Sequence, residues 1–143
     1  MSALHARLAI GLLVLSLMAV IGGCIEEQHN FRGLLGVDPS EVTKISLRCG
    51  TTGDLVTVEE EEGIKEFLAI LEGKTFQKAK DQTLRTGYQY YADFFQDDKE
   101  LLRVTFQGEQ VSIKQTYYDV SQSVPVEELE AFFARYNQGR HRR

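Results

Sequence analysis

The chain has 143 residues, of which 43% are hydrophobic and 26% are charged, and its formal net charge at pH 7 is −5. This length and apolar content are sufficient for one globular domain with its own hydrophobic core. The excess of acidic residues makes the protein a poor match for the phosphates of nucleic acids, so it excludes nucleic-acid binding as a main role.

The N-terminal residues have the order of an export signal. Arg7 supplies a positive charge, residues 8–21 are apolar apart from Ser16, and the small residues Gly22 and Gly23 follow. A charged start, a short apolar run and small residues are the parts of a secretory signal. The apolar run is shorter than the roughly 20 residues that comfortably span a bilayer. We therefore expect residues 1–23 to be removed on export.

The quartet Ile21-Gly22-Gly23-Cys24 resembles the lipobox of bacterial lipoproteins, with Ile at a first position where Leu is commoner. The resemblance implies cleavage between Gly23 and Cys24 and a diacylglycerol on the sulfur of Cys24. Two acyl chains hold a protein firmly at a membrane. The implied location is the cell membrane, facing outside the cytoplasm, or the outer membrane if the cell has one. An ordinary signal peptide and an uncleaved anchor are the alternatives.

The predicted mature chain has three parts. Residues 24–40 are expected to form a lipidated tether, residues 41–137 an α+β domain, and residues 138–143 a basic tail. Within the tether, the apolar side chains of Phe31, Leu34 and Leu35 are expected to pack back on the domain. The basic tail is predicted to be a solvated chain end, with contact to anionic lipid headgroups as the alternative.

A hairpin and a helix are predicted at the start of the domain. Residues 42–49 alternate between apolar and polar, residues 50–54 are turn formers, and residues 55–58 return, as in a β-hairpin. The glutamates at 59–62 suit the positive N-terminal end of a following helix. The apolar face of that helix is expected to be Ile64, Phe67, Leu68 and Leu71.

A strand meander and a second helix complete the predicted domain. Strands are expected at residues 88–95, 101–106 and 110–120, and their short connections make them antiparallel neighbours. Pro125 suits the first turn of a final helix. The apolar face of that helix is expected to be Leu129, Phe132, Phe133 and Tyr136.

The predicted fold class is therefore α+β: an antiparallel sheet of about five strands, in the order β-β-α-β-β-β-α, with two helices packed on one face. The side chains expected to point inward are Ile45, Leu47, Tyr90, Phe94, Leu102, Val104, Phe106, Val111 and Ile113. The arrangement resembles that of small uncharacterised envelope lipoproteins of Gram-positive bacteria, and this resemblance implies no activity.

The sequence contains no pattern typical of a catalytic, metal or cofactor site. His29 and His141 lie in the predicted tether and tail, so the predicted domain has no histidine for zinc binding or for activation of a nucleophile. No phosphate-binding glycine motif precedes a helix. Cys49 shares a strand face with Ile45 and Leu47, so it is expected to pack in the core. We predict a protein without enzymatic activity, metal or cofactor.

The positions between the inward residues predict a mixed aromatic and basic surface on the other face of the sheet, because side chains alternate along a strand. The candidate interaction face consists of Tyr91, Phe95, Arg103, Lys114 and Tyr118. Tyr and Arg are enriched at binding hot spots. Exposed sheet faces also favour aromatic residues for cross-strand pairing alone, which is the alternative explanation.

The predicted function is a lipid-anchored extracytoplasmic module that binds a protein or envelope partner through this face. The alternative is a small-ligand sensor or carrier with an aromatic-lined pocket between the sheet and the helices. An envelope hydrolase ranks last, because no pair of carboxylates marks a cleft.

The substitution Cys24→Ala tests the lipid anchor. The variant is expected to be released from membranes or left unprocessed, because it has no thiol to carry the diacylglycerol. Cell fractionation and mass spectrometry of the mature N-terminus measure both effects, with Cys49→Ala as the matched control. An unmodified Cys24 in the membrane-bound wild type contradicts the prediction.

Overall fold

The computed structural model of the chain describes residues 26–138. The predicted signal segment, the cleavage position at Gly23 and Cys24, and tail residues 139–143 lie outside the described residues. Within residues 26–138, eight strands form one antiparallel sheet in the order β1-β4-β8-β7-β6-β5-β2-β3. None of the helices in this part of the chain has the length and apolar character needed to span a bilayer.

The elements follow one another in the order strand, helix, hairpin, helix, five strands and helix. The strands are β1 Gln28–Asn30, β2 Lys44–Cys49, β3 Leu55–Val58, β4 Thr75–Lys78, β5 Tyr90–Gln96, β6 Lys99–Gln107, β7 Gln110–Ile113 and β8 Thr116–Val120. The helices are α1 Phe31–Leu35, α2 Glu61–Leu71 and α3 Val126–Gln138. A single 3-10 turn at Pro39–Glu41 lies between α1 and β2.

The fold class is α+β with one antiparallel sheet, as predicted, but the prediction of about five strands was wrong. The sheet of residues 26–138 has eight strands because β1 and β4 join it and because residues 110–120 form two strands. Lys114 and Gln115 form the turn between β7 and β8, with φ values of 50° and 64°. A two-residue turn with positive φ at both positions suits a twisted hairpin, but it usually contains Gly, Asn or Asp.

Part of the predicted tether belongs to the fold. Strand β1 pairs with β4 at one edge of the sheet, and the side chain of Asn30 accepts a hydrogen bond from the backbone N–H of Gly33 to cap α1. Phe31 and Leu35 are buried and Leu34 is partly buried against the core, as expected for the apolar side chains of this segment. The folded region therefore begins before the predicted boundary at residue 41.

Helices α2 and α3 cover one face of the sheet, here called the inner face. The ring of Phe67 lies 5.8 Å from that of Phe94 in the sheet and 5.0 Å from that of Phe132 in α3. Every residue of the predicted inward set is buried. Fully burying a large apolar side chain contributes roughly 1.5–3 kcal/mol, so this layer is the main source of stability.

Gly63 allows α2 to approach its neighbours closely. A Cβ at this position would lie 2.5 Å from Cγ1 of Val58 in β3 and 2.5 Å from the hydroxyl oxygen of Tyr136 in α3. Real Cβ atoms do not come this close to other heavy atoms, so the helix, the strand and the second helix meet where only a hydrogen fits.

The substitution Gly63→Ala is expected to lower the free energy of unfolding by about 1–3 kcal/mol, because the added methyl overpacks this contact. In a helix without such neighbours, Ala is favoured over Gly by about 1 kcal/mol. Ala69→Gly, at an exposed position of the same helix, is the matched control for that preference. Urea unfolding measures both variants. A Gly63→Ala protein more stable than the wild type contradicts the prediction.

Candidate functional site

The face of the sheet opposite the helices, here called the outer face, carries charged and aromatic side chains at its centre. Tyr91 on β5 pairs with Arg48 on β2, and Asp93 on β5 pairs with Arg103 on β6. These positions alternate along β5 with the buried Ala92. The side chains of Tyr91 and Asp93 therefore project from the outer face.

Asp93 and Arg103 form a two-point ion pair on this face. Nε of Arg103 donates to Oδ1 of Asp93 at 2.5 Å, and Nη2 donates to Oδ2 at 2.9 Å. Asp93 is only 6% exposed, whereas the side chain of Arg103 is 49% exposed. The hydrogen bonds to Asp93 raise the pKa of Arg103 above its usual value. A buried carboxylate needs such a partner, because desolvation of an unpaired charge is costly.

Tyr91 is bracketed by two guanidinium groups. The Cζ atom of Arg103 lies 4.3 Å from the centroid of the Tyr91 ring, and that of Arg48 lies 5.9 Å from it. Both distances are within the range of cation–π attraction. Arg48 is held from the other side, because its Nη1 donates to the carbonyl oxygen of Gly53 at 2.7 Å. The ring of Tyr88 lies 5.2 Å from that of Tyr91. We call Arg48, Tyr88, Tyr91, Asp93 and Arg103 the Tyr91 cluster.

The outer face continues beside this cluster with smaller pairs. The ammonium group of Lys44 lies 4.5 Å from the ring centroid of Phe95, and the hydroxyls of Ser46 and Thr57 are 3.3 Å apart. Phe95 follows an irregularity in the pairing of β5 with β6, but it still pairs with Lys44 on β2. The structure thus places Tyr91, Phe95 and Arg103 on the outer face, where alternation predicted them.

The placement of Tyr118 and Lys114 on this face was wrong. Alternation was carried straight through residues 110–120, but the turn at Lys114 and Gln115 reverses the chain. Tyr118 pairs with Val111 and so points to the inner face, where it packs against the core. Lys114 is exposed in the turn itself. The outward tyrosine of β8 is Tyr117, which pairs with Ser112.

Residues 79–89, here called the crossing segment, join β4 to β5 over the outer face. The amide of Gln82 donates to the backbone carbonyl of Tyr117 and accepts from its N–H, both at 2.9 Å. The backbone N–H of Arg85 donates to the Tyr117 hydroxyl at 2.9 Å. Tyr117 is consequently only 3% exposed. The crossing segment covers the β8 side of the outer face and leaves the side formed by β6, β5 and β2 open.

Two large apolar side chains of the crossing segment are exposed. Leu84 is 80% exposed and Tyr88 is 38% exposed. Tyr88 belongs to the Tyr91 cluster, so the exposed apolar surface of the segment continues onto the sheet. Exposed apolar surface of this kind is one mark of interaction sites when polar groups surround it.

The inner aromatic residues of β5 belong to a packed core in the described part of the chain. The ring of Phe31 lies 5.1 Å from that of Phe94, and the ring of Phe133 lies 5.8 Å from that of Tyr90. A groove of about 910 Å³ lies elsewhere, between α1 and α2. Its lining includes the apolar Phe31 and Ile64 and the charged Arg32 and Lys65.

Among residues 26–138, no group of three or more His, Cys, Asp or Glu side chains is arranged to hold a metal ion. Cys49 is buried in the core, as predicted from its strand position. Burial raises the pKa of its thiol, but hydrogen bonds from Thr52 and Thr51 outweigh burial and leave that pKa below its usual value.

No protein-family model, curated protein or solved structure matches the chain. What the site can bind is therefore inferred from its own residues. The Tyr91 cluster presents guanidinium N–H donors and aromatic rings at fixed positions, which are groups suited to recognition of another molecule. Arg48 was expected on this face together with Lys44 and Ser46, whereas Tyr88, Asp93 and the crossing segment were not part of the predicted face.

The substitution Arg103→Gln is expected to lower the free energy of unfolding by about 2 kcal/mol, because it leaves the carboxylate of Asp93 buried without its partner. This value is at the low end for buried pairs, since half of the Arg103 side chain is exposed. Adding Asp93→Asn is expected to restore most of the loss. Urea unfolding of the single and double variants gives the coupling energy.

The control for this cycle is the pair Glu61 and Lys65, whose side chains are 80% and 63% exposed. Its coupling energy is expected to be smaller, because water screens both charges. Equal coupling in the two pairs contradicts the role of burial at Asp93.

Proposed function

We propose that the protein is a lipid-anchored extracytoplasmic module, without enzymatic activity, that binds a protein or envelope partner through the open part of the outer face. The observation that carries this proposal is the Tyr91 ring held between Arg48 and Arg103 on a sheet face that none of the helices of residues 26–138 covers. The hydrophobic core does not require this arrangement for its stability, because α2 and α3 already pack against the inner face.

The composition and rigidity of the Tyr91 cluster support recognition. Tyr and Arg supply a large share of binding energy at protein interfaces. Both guanidinium groups are already held in place, Arg103 by Asp93 and Arg48 by the carbonyl of Gly53. Side chains that are ordered before binding lose less conformational entropy when a partner arrives.

The lipid anchor is proposed on the quartet Ile21-Gly22-Gly23-Cys24, and the sheet order is compatible with it. The chain enters the fold at β1, which is one edge of the sheet, and Tyr91 lies on β5 near the other edge. Five strand spacings of about 4.8 Å separate these two strands, or roughly 25 Å. A partner at the Tyr91 cluster would therefore not compete for space with the anchored chain.

A small-ligand carrier is the second candidate function, and the groove between α1 and α2 is the observation that favours it. Its volume of about 910 Å³ is within the range of ligand sites. However, both of its basic side chains are engaged in ion pairs, Lys65 with Glu61 at 2.6 Å and Arg32 with Asp38 at 3.1 Å, and Phe31 is the one aromatic side chain among the described residues that line it. A single ring does not make the aromatic-lined pocket that a carrier of this kind was expected to have, so this candidate ranks second.

Site-specific photo-crosslinking in intact cells tests the proposed function. A photoreactive residue at Thr105 on β6, which pairs with Tyr91 on β5, is expected to give a discrete adduct with a partner. The substitution Tyr91→Ala is expected to reduce that adduct about tenfold or more, because truncation of a hot-spot side chain commonly costs 2 kcal/mol or more.

The matched controls use the exposed turn between β7 and β8. A photoreactive residue at Lys114 should give no such adduct, and Lys114→Asn should leave the Thr105 adduct unchanged. An adduct that persists in the Tyr91→Ala protein, or one that forms equally from position 114, overturns the assignment of the outer face.

A further inference from the structure

We infer that the partner presents an acidic peptide segment with apolar side chains, whose carboxylates lie against Arg48 and Arg103. This inference rests on the proposed function and specifies the chemistry of the partner. Three features of the open outer face carry it: its charge, the free N–H groups of its arginines, and the exposed apolar surface beside them.

The open outer face has a small excess of positive charge although the protein is acidic. Lys44, Arg48 and Arg103 project from it, while the carboxylate of Asp93 is buried and already paired with Arg103. Glu100, which pairs in register with Phe95, offsets part of this positive charge. The chain as a whole has a formal net charge of −5. An acidic partner is therefore repelled by most of the surface and attracted to this face, which favours one docking orientation.

Both arginines of the cluster keep N–H groups for a ligand. A guanidinium has five N–H donors. Arg103 uses Nε and Nη2 for Asp93, and Arg48 uses Nη1 for the carbonyl of Gly53. Nε of Arg48 is buried without a partner, so Arg48 offers a ligand only the remaining N–H groups of Nη1 and Nη2. The two arginines lie on either side of Tyr91, since β6 and β2 flank β5 in the sheet, and their Cζ atoms are 4.3 Å and 5.9 Å from the ring centroid of Tyr91. Carboxylates are the groups that such planar forks of donors bind best in proteins.

The apolar surface favours a peptide over a purely ionic polymer. Tyr88 is 38% exposed and its ring lies 5.2 Å from that of Tyr91, and the ring of Phe95 lies further along the same strand β5. Covering this surface contributes to binding only if the partner brings apolar side chains of its own. In an extended peptide, alternate residues lie on the same side about 7 Å apart. Acidic and apolar side chains of one short segment can thus reach the guanidinium groups and the rings together.

Fluorescence anisotropy with three labelled peptides tests the inference on the full chain in detergent micelles. The probes are short peptides of alternating Glu and Phe, Gln and Phe, or Lys and Phe, and inorganic polyphosphate serves as a competitor. The Glu-Phe peptide is expected to bind about tenfold more tightly than the Gln-Phe peptide, and its affinity should fall as salt is added. Polyphosphate is expected to compete weakly.

Two variants assign the binding to the Tyr91 cluster. Arg48→Gln, which breaks no ion pair, is expected to weaken the Glu-Phe peptide about tenfold. The double substitution Asp93→Asn with Arg103→Gln removes a charge of each sign together, so it avoids leaving a buried carboxylate unpaired, and it should also weaken binding. Lys114→Gln, which removes one positive charge outside the face, is the control and should change little.

The inference is overturned if the Gln-Phe peptide binds as well as the Glu-Phe peptide, or if Arg48→Gln has no effect. Strong displacement by polyphosphate also overturns it, in favour of an anionic polymer. If Thr105 captures a partner that Tyr91→Ala loses while the acidic peptide is not preferred, the proposed function stands and only the acidic chemistry fails. If the Glu-Phe peptide is preferred but no cellular adduct forms at Thr105, the proposed function fails, and the preference for acidic peptides describes only the binding chemistry of the Tyr91 cluster.

Discussion

The contact of Phe67 with Phe94 on one side and with Phe132 on the other ties both long helices to a single face of the sheet. Gly63 tightens this arrangement, because α2 approaches β3 and α3 at a point without a side chain. All the helical cover of the described chain is thus committed to the inner face. The outer face of a broad sheet must then be stabilised by its own side chains and by whatever connection crosses it.

The two halves of the outer face are stabilised by different kinds of contact. Over β8, the crossing segment supplies hydrogen bonds that would otherwise come from water or a neighbouring strand, with the amide of Gln82 serving both backbone groups of Tyr117. Over β6, β5 and β2, the side chains pair with one another, and the carboxylate of Asp93 is desolvated beneath the guanidinium of Arg103. The crossing segment covers the outer face at β8, whereas the paired side chains on β6, β5 and β2 leave aromatic rings and N–H groups accessible.

Local periodicity was enough to predict which residues form the core. Ile45, Leu47 and Phe94 are buried at positions where apolar residues alternate along a strand. Phe67 and Phe132 are buried in two helices, and in each helix the apolar residues recur at helical spacing. Strand β4 was missed because only Phe76 of its four residues is buried, which leaves no alternation to detect. The turn at Lys114 was missed because its residues are not the usual ones for positive φ, and that single error displaced Tyr118. Tyr88 was not assigned to the site because its contact with Tyr91 depends on the path of the crossing segment, which has no local signal.

The position of β1 has a mechanical consequence. Any tension on the chain ahead of Glu26 enters the fold through a strand of three residues at the sheet edge. Antiparallel backbone bonds to β4 resist that load first, and the buried ring of Phe31 directly behind them resists it next. The edge therefore yields before the centre, so that a pull on the N-terminus would peel away β1 and α1 while β5, β6 and the surface they carry keep their shape.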